Sequence, residues 1–514
     1  MKIKIEEISD NPVINLVTDT IKKKKQAIVF TNTKRSAEKT AEDISKTIKT
    51  KDKKLIELSG KVLEVLSKPT KQCERLARCI KKGIAFHHAG LTEKQKELIE
   101  ENFRKGIIKI ICATPTLAYG VDLPAFRVII RDLRRYSQRG LAYIPVLEYL
   151  QFSGRAGRPK FDNEGQSIII TASKAEKKKL KEKYIYGKPE DIYSKLSVEP
   201  VLRTYVLSLI SSDFVNTREE IFSFFSKTFY ANQFSDEYEL KAKIEKMLHL
   251  LEKWEFVKSS KKEFISADKI EEETYKATQL GKRVSELYID PLTAHNFIEA
   301  LKKASKKKIV AFSLLQTISS TLEIRPLLRV KIKEYDKIEE AIARYGSYFL
   351  GREPSIYDPE YEDFLRSIKT TLFFQDWINE KDEEYLLENY DIRPGEIRAK
   401  IEIADWLLYA MEEICRIIKL QSIIKDIIKL RIRVKNGIRE ELIPLIKLKN
   451  IGRARARKLY FNEIKTIGDV IKVDLSKLTQ ILGKKTAIEI KKQVGQNFET
   501  EKTKEKKQTG LYEF

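Results

Sequence analysis

An α/β domain built on a parallel sheet, followed by mainly α-helical domains, is the fold class this sequence predicts, on three observations. From Gln26 to Thr171 short apolar runs rich in Val and Ile alternate with amphipathic segments, the pattern of strands joined by crossover helices. After Thr171 strand signals become sparse and helical periodicity takes over. The chain has 514 residues, 34% charged and 42% hydrophobic, which is too long for one core and too apolar for a disordered polymer, so several packed domains are expected.

In chain order, strands are expected at 27–30 (AIVF) and within 83–90 (GIAFHHAG), 108–114 (IKIICAT), 127–133 (RVIIRDL) and 166–171 (QSIIIT). The runs are continuous, as in strands covered on both faces. Helices are expected from Ser36 onward and over 92–105, and the Lys-rich SKAEKKKLKEK closes a first domain spanning 1–185. Residues 186–290 hold short helices and the segment LEKWEFVKSSKKEFISA, read as a small hairpin beside a helix, which suits a winged-helix module. Residues 291–420 form a helical bundle in which one long helix begins after Pro394-Gly395. Residues 421–500 read as short helices punctuated by NIGRARARKLY, TIGDV and ILGKKTA, and 501–514 as a mobile charged tail.

Ninety-nine Lys+Arg against 75 Asp+Glu give a formal charge of +24. Such a balance attracts polyanions through counterion release and makes nucleic acid the first partner to consider, beside the Lys habit of a heat-adapted proteome. Cys73, Cys79, Cys112 and Cys415 form no C-x-x-C pair and there are four histidines, so no metal site is expected. The N-terminus lacks an apolar signal core and no stretch approaches about eighteen apolar residues. A soluble, intracellular (cytoplasmic) protein with reduced thiols and no membrane contact is expected.

The most informative string is Gln151-Phe-Ser-Gly154-Arg155-Ala-Gly157-Arg158-Pro159. Two arginines three apart, released by glycines to approach a ligand, form a planar receptor for phosphate oxygens; the plainer reading is an Arg-rich surface turn. Upstream, Ala113-Thr114-Pro-Thr-Leu-Ala-Tyr-Gly120-Val-Asp122-Leu-Pro begins where an apolar strand ends. A hydroxyl and free amides there can hold a nucleic-acid phosphate, and the Asp can accept from a ribose hydroxyl.

These strings resemble motifs VI and V of superfamily 2 helicases of the Ski-two-like branch. VFTNTKRSAEKTA (29–41) resembles motif IV, and HHAGLTEKQKELIEENFRKG (87–106) the signature that follows, so the resemblance covers 26–171. The domain order extends it: the chain is similar to archaeal Hjm-type DNA helicases, relatives of the polymerase-theta helicase domain. The resemblance implies that the first domain is the second RecA-like motor domain and that ATP and Mg2+ sit in a cleft between two such domains. Arg155 and Arg158 would then reach the γ-phosphate, Arg158 as the arginine finger. Gln151 would couple the nucleotide to the facing domain, with Gly154 and Gly157 freeing the arginines, and Gly120 and Asp122 would lie at the ribose side. Thr31, Arg35, His88 and Thr114 would line the track of a single strand, although His87 and His88 also read as packed core residues.

Further features carry DNA-handling readings. RDLRRYSQRGLAYIPVLEY matches the family's strand-separating hairpin, with Tyr136, Arg139 and Tyr143 as contacts, or is an ordinary surface hairpin. The long helix resembles the family's ratchet helix, with Trp406 as a base-stacking platform, or else a core Trp. Seven residues earlier stands Ala399 where a basic residue is expected, flanked by Arg398 and Lys400; a substitute one place away is rotated by roughly 100°. Gly452, Arg455 and Arg457 have a helix-hairpin-helix look that grips a phosphate backbone without reading bases, and Gly483-Lys484-Lys485 is a weaker second hairpin or an exposed basic turn. Gln508, Leu511 and Phe514 match the Q-x-x-L-x-x-F spacing of a sliding-clamp (PCNA) box, or belong to an inert tail.

No G-x-x-x-x-G-K-[ST] occurs, and no Asp-Glu-x-His follows an apolar strand; DEYE (236–239) and DEEY (382–385) lie in polar, helical surroundings. The chain is therefore expected to be the large subunit of a divided ATP-dependent 3′-to-5′ DNA helicase acting on forked or branched DNA in replication-coupled repair. A separate chain would carry the first RecA-like domain; a truncated piece of one enzyme is the other explanation. A non-catalytic DNA-binding and clamp-tethering module is the alternative function, with an RNA helicase third.

Overall fold

The computed structural model describes residues 4–66, 68–137, 140–158, 162–234, 237–260 and 273–495. Contacts divide the chain into two compact units: Met1–Ser197 with Phe225–Glu237 and Glu383–Lys400, and Val198–Phe224 with Tyr238–Asp382 and Ile401–Phe514.

The first unit is built on a five-stranded parallel sheet. Its strands are β1 (Ala27–Phe30), β2 (Ile84–His87), β3 (Ile110–Ala113), β4 (Arg127–Ile130) and, after a hairpin of β5 (Arg134–Ser137) and β6 (Gly140–Tyr143), β7 (Gln166–Ile169). Their order is β2-β3-β1-β4-β7, with Ala27 level with Ile110 on one side and Arg127 on the other. Every residue of β1 to β4 is buried, which is why these strands read as unbroken apolar runs: helices cover both faces. The helix after β1 is Lys34–Thr47, capped by Thr33, and the one after β2 is Glu93–Arg104, closed by a Thr92–Gln95 capping box. The order reverses at β1, between the connection to β2 and that to β4, so the carboxyl ends of β1 and β3 flank a topological switch point, where open α/β sheets place ligands. A fully buried Arg127 ties the sheet to the helix Pro12–Lys22 through Leu16 O (2.8 Å), Thr20 Oγ1 (2.8 Å) and Asp19 Oδ2 (2.9 Å).

The second unit is mainly helical. Among the described residues a small sheet pairs β8 (Val257–Ser259) with β9 (Tyr275–Ala277). The hairpin expected inside LEKWEFVKSSKKEFISA thus takes its partner from further along; residues 261–272 lie outside the described set. The long helix is Pro394–Ile417, as its periodicity predicts. The 421–500 segment departs from the expected run of short helices, because Gln421–Asn436 is one 16-residue helix with Ile423, Ile424, Ile427, Leu430 and Val434 buried along one stripe. It stops at Gly437, left-handed at φ 62°, where a Cβ would come within 2.6 Å of the Trp377 ring. Beyond it, Leu442, Leu459, Val470, Leu478 and Ile490 centre a separate small core under the helices Arg453–Phe461, Leu475–Leu482 and Lys484–Gln493.

Candidate functional site

The motif VI arginines sit at the amino edge of the sheet. Gly154 ends the helix Val146–Ser153, and Gly157 adopts φ 100° with its N–H on Ala125 O (2.7 Å), bringing the backbone against Gly165, where a Cβ on Gly165 would lie 2.5 Å from Gly157 N. This turn aims Arg158 past the start of β1: Nε and Nη2 meet Asp162 at 2.6 and 3.2 Å, and Nη1 donates to Gln26 Oε1 at 2.5 Å. The Asp162 side chain, 1% exposed, also receives Lys25 Nζ at 2.6 Å. Burial works to raise its pKa, but the hydrogen bonds from Arg158 and Lys25 hold it below the usual carboxylate range. Arg155 donates to Ala118 O (2.5 Å) and contacts Asp122 Oδ1 (3.2 Å), whose side chain is 92% exposed. Gly120 is exposed beside them. Gln151 is half-buried, and its Oε1 has no hydrogen-bond partner among the described residues. Two guanidiniums on one edge suit a nucleotide phosphate, and the partnerless amide oxygen suits a hydrogen-bond donor beside it. Among the described residues no cluster of three His, Cys, Asp or Glu is placed to hold a metal ion.

The opposite, carboxyl edge carries a groove of about 480 Å3. It is lined by Asn32, Thr33, Lys34 and Arg35 after β1, Ala89 after β2, Thr114 and Thr116 after β3, and by Arg393. The two threonine hydroxyls lie 3.0 Å apart. Among the described residues that line the groove none is a carboxylate: Lys34 pairs with Glu396, Arg35 with Asp391 (2.8 Å) and Arg393 with Glu38 (3.0 Å). Arg35 and Thr114 thus stand where the motifs predict. Thr31 and His88 do not: they are 1% and 0% exposed, packed behind the groove.

His88 belongs to a buried charge cluster. Its Nδ1 accepts from Gly90 N–H (3.1 Å), and Nε2 lies 3.2 Å from Glu38 Oε1, off the line of a good hydrogen bond. Burial pushes its pKa down. Glu38 also faces Arg75 Nη1 (2.6 Å). Burial pulls the Glu38 carboxyl up, yet His88 and the Arg393 guanidinium bring it to about 2. His87 takes the core reading, with Nε2 on Glu100 at 2.9 Å.

Of the hairpin contacts, Tyr143 receives Arg134 at its hydroxyl and has Arg134, Lys179 and Lys183 around its ring at 4.4, 5.4 and 5.1 Å. The side chain of Tyr136 and the whole of Arg139 lie outside the described set, as do Gln508, Leu511 and Phe514. Trp406 is half-buried and donates Nε1–H to Leu287 O at 2.9 Å. Arg398 is exposed, whereas Lys400 is buried and its pKa is lowered to about 8 by that burial. Gly452 and Arg455 are exposed, Arg455 bonding Asn450 O at 2.7 Å. Arg457 is committed to Glu380 and Glu441, which fixes the helix Arg453–Phe461 rather than presenting a cation to solvent. Sequence reasoning missed Arg393 and Glu38, which meet across 355 positions of chain.

Residues 10–160 match the model of the helicase conserved C-terminal domain, and residues 312–437 that of domain 4 of archaeal helicases. The chain is 40% identical over 489 residues to the ATP-dependent DNA helicase Hel308 of Pyrococcus horikoshii, covering 93% of this chain and 65% of that protein. It is 36% identical over 532 residues to the Hel308 of Methanococcus vannielii (97% and 69%) and 34% identical over 490 residues to that of Caldivirga maquilingensis (92% and 63%). The chain thus spans about two thirds of the length of these relatives. No helix among the described residues is long and apolar enough to cross a membrane.

Proposed function

The chain belongs to the Hel308 family of DNA helicases, and from that membership we propose that it is the arginine-donating, DNA-holding part of an ATP-dependent 3′-to-5′ helicase working on forked or branched DNA in repair. The observation that carries the reading is the pairing of two phosphate receptors on one sheet: Arg155 and Arg158 at its amino edge, the basic hydroxyl-lined groove at its carboxyl edge. ATP with Mg2+ supplies a phosphoryl group whose transfer to water drives the motor. Arg158, released from Asp162, would stabilise the charge that develops on it, Arg155 would support the adjoining oxygens, and Gln151 Oε1 would accept from the nucleotide side. Asp122, with most of its side chain in solvent, is placed to accept from a ribose hydroxyl.

The 514 residues hold no phosphate-loop string, so on this reading the groups that grasp Mg·ATP lie outside them, in a first RecA-like domain. Residues 186–290 serve as a winged helix, 291–420 as the ratchet bundle carrying Trp406, 421–500 as a helix-hairpin-helix unit gripping backbone through Gly452 and Arg455, and Gln508, Leu511 and Phe514 as a sliding-clamp (PCNA) box. The test combines the purified chain with the first motor domain and measures ATP hydrolysis with and without single-stranded DNA. Hydrolysis should need both proteins and DNA, and Arg158→Ala should lower it by about 1000-fold, as for a lost arginine finger, while DNA affinity stays within about twofold because no groove residue changes. Turnover by the chain alone, or by Arg158→Ala in the pair, overturns it. DNA binding with no hydrolysis in any combination favours the tethering module, a reading to which the in-chain pairing of both arginines with carboxylates lends weight.

A further inference from the structure

The groove at the carboxyl edge contains one residue that no motif brings there. Arg393 lies beyond the sheet-forming sequence, yet the segment Glu383–Lys400 belongs to the same compact unit as the sheet, and the side chain of Arg393 lines the groove beside Lys34, Arg35 and Thr114. Its placement is fixed from three sides. Glu38, 3% exposed, takes Nε at 3.0 Å, while Nη1 stands 3.8 Å from Asp391 Oδ1. The backbone is joined by Gly395 N–H on Gly90 O (3.1 Å). The stem crosses Gly90 so closely that a Cβ there would lie 2.3 Å from Arg393 Cδ.

These contacts distinguish Arg393 from the groove's other cations. The Arg35–Asp391 pair is largely exposed, and exposed pairs are weak enough for a phosphate to replace the carboxylate. The Arg393–Glu38 pair is buried, and Arg75, held in addition by Glu42 at 2.6 Å, shares the same carboxylate. A guanidinium pinned through Nε has its planar fork already oriented, with donors in excess of the one Glu38 takes. A phosphate entering the groove therefore meets a cation whose ordering cost was met on folding.

We infer that Arg393 is a phosphate-contacting residue of the strand groove and that Glu38 and Gly90 are the positioning residues that hold it there. The inference rests on reading the groove as the track of a single strand. It makes the track composite: the residue immediately before the long helix Pro394–Ile417 touches the same phosphodiester that the sheet's loops hold, so an occupied groove also fixes the start of that helix.

The test uses the full chain and a labelled oligothymidylate, with anisotropy titrations across roughly 50 to 200 mM NaCl, the range over which phosphate contacts show in the salt slope. Arg393→Ala should weaken binding roughly tenfold at the lowest salt, as for a lost charged hydrogen bond, and reduce the slope of log K against log salt by about 0.7, one single-strand contact. Arg393→Lys should keep the slope. Gly90→Ala, which leaves every charge in place but displaces the Arg393 stem, should reproduce the lost slope, and it carries the test if Arg393→Ala does not fold. A wild-type slope in both Arg393→Ala and Gly90→Ala, while Lys34→Ala and Thr114→Val weaken binding, overturns the inference and leaves the groove reading intact. Indifference of all four variants, or no binding by the wild type, removes the groove reading itself.

Discussion

Replacing Glu38 with Gln should separate the electrostatic part of the sheet unit's stability from its apolar part. Glu38 is 3% exposed and is the shared acceptor of Arg75 and Arg393. A carboxyl carried from 4.5 to about 2 by His88 and Arg393, against the upward pull of burial, contributes about 3 kcal/mol. The figure agrees with the roughly 3–5 kcal/mol expected when one partner of a buried ion pair is removed. Because the folded-state pKa is depressed, the stabilisation is fully present above pH 4.5 and lost as pH falls through about 2. Glu38→Gln should therefore lower the unfolding free energy by about 3 kcal/mol at pH 7, and the gap to wild type should close as the carboxyl protonates. Urea unfolding at a series of pH values, followed by far-ultraviolet circular dichroism, measures this. All three tryptophans, Trp254, Trp377 and Trp406, lie in the second unit, so tryptophan fluorescence follows that unit separately. A wild-type unfolding free energy at pH 7, or a gap that persists undiminished to pH 2, would refute the account.

Two further outcomes follow from placement. Trp406→Phe keeps a stacking ring but loses the Nε1–H bond to Leu287 O, so the second unit should lose about 1 kcal/mol with DNA affinity nearly kept; Trp406→Ala should also cost about 1–3 kcal/mol of single-strand affinity. Equal DNA binding by folded Trp406→Ala and wild type would return Trp406 to a packing role. For the clamp box, calorimetry of the full chain with an archaeal sliding clamp should give binding that Leu511→Ala or Phe514→Ala lowers by about 100-fold, as for interface anchors worth 2 kcal/mol or more; unchanged affinity in both variants would dismiss the box.

The sheet was legible because burial on both faces forces continuous Val and Ile runs, and β1 to β4 show it at each residue. The long helix was legible from its period, although it begins at Pro394 rather than after Gly395. Three things were not. The partner of β8 was sought in the nearest apolar run, but strand pairing is a non-local choice and β9 begins at Tyr275. The fate of charged residues was misjudged where sequence shows only one partner: Arg457 looks like a DNA contact until Glu380, 77 positions away, is seen to hold it. Thr31 and His88 carry the expected motif yet are sealed behind the groove, because a motif fixes position along the chain and packing decides exposure.

The two proposed phosphate receptors stand at opposite edges of a sheet whose strands are four residues long, a span of about 13 Å. One stretch of chain touches both. Thr114 and Thr116 face the groove, and the helix Thr116–Gly120 then runs back toward the other edge, where Ala118 O and Asp122 hold Arg155. Leu117 and Ala118 are 2% and 4% exposed, so this stretch is packed into the core and cannot slacken without disturbing it. On the proposed reading, a phosphate at Thr114 and a nucleotide that draws Arg155 from Ala118 and Asp122 would both act on this one short stretch. Any coupling between strand occupancy and arginine position through it would be reciprocal by linkage.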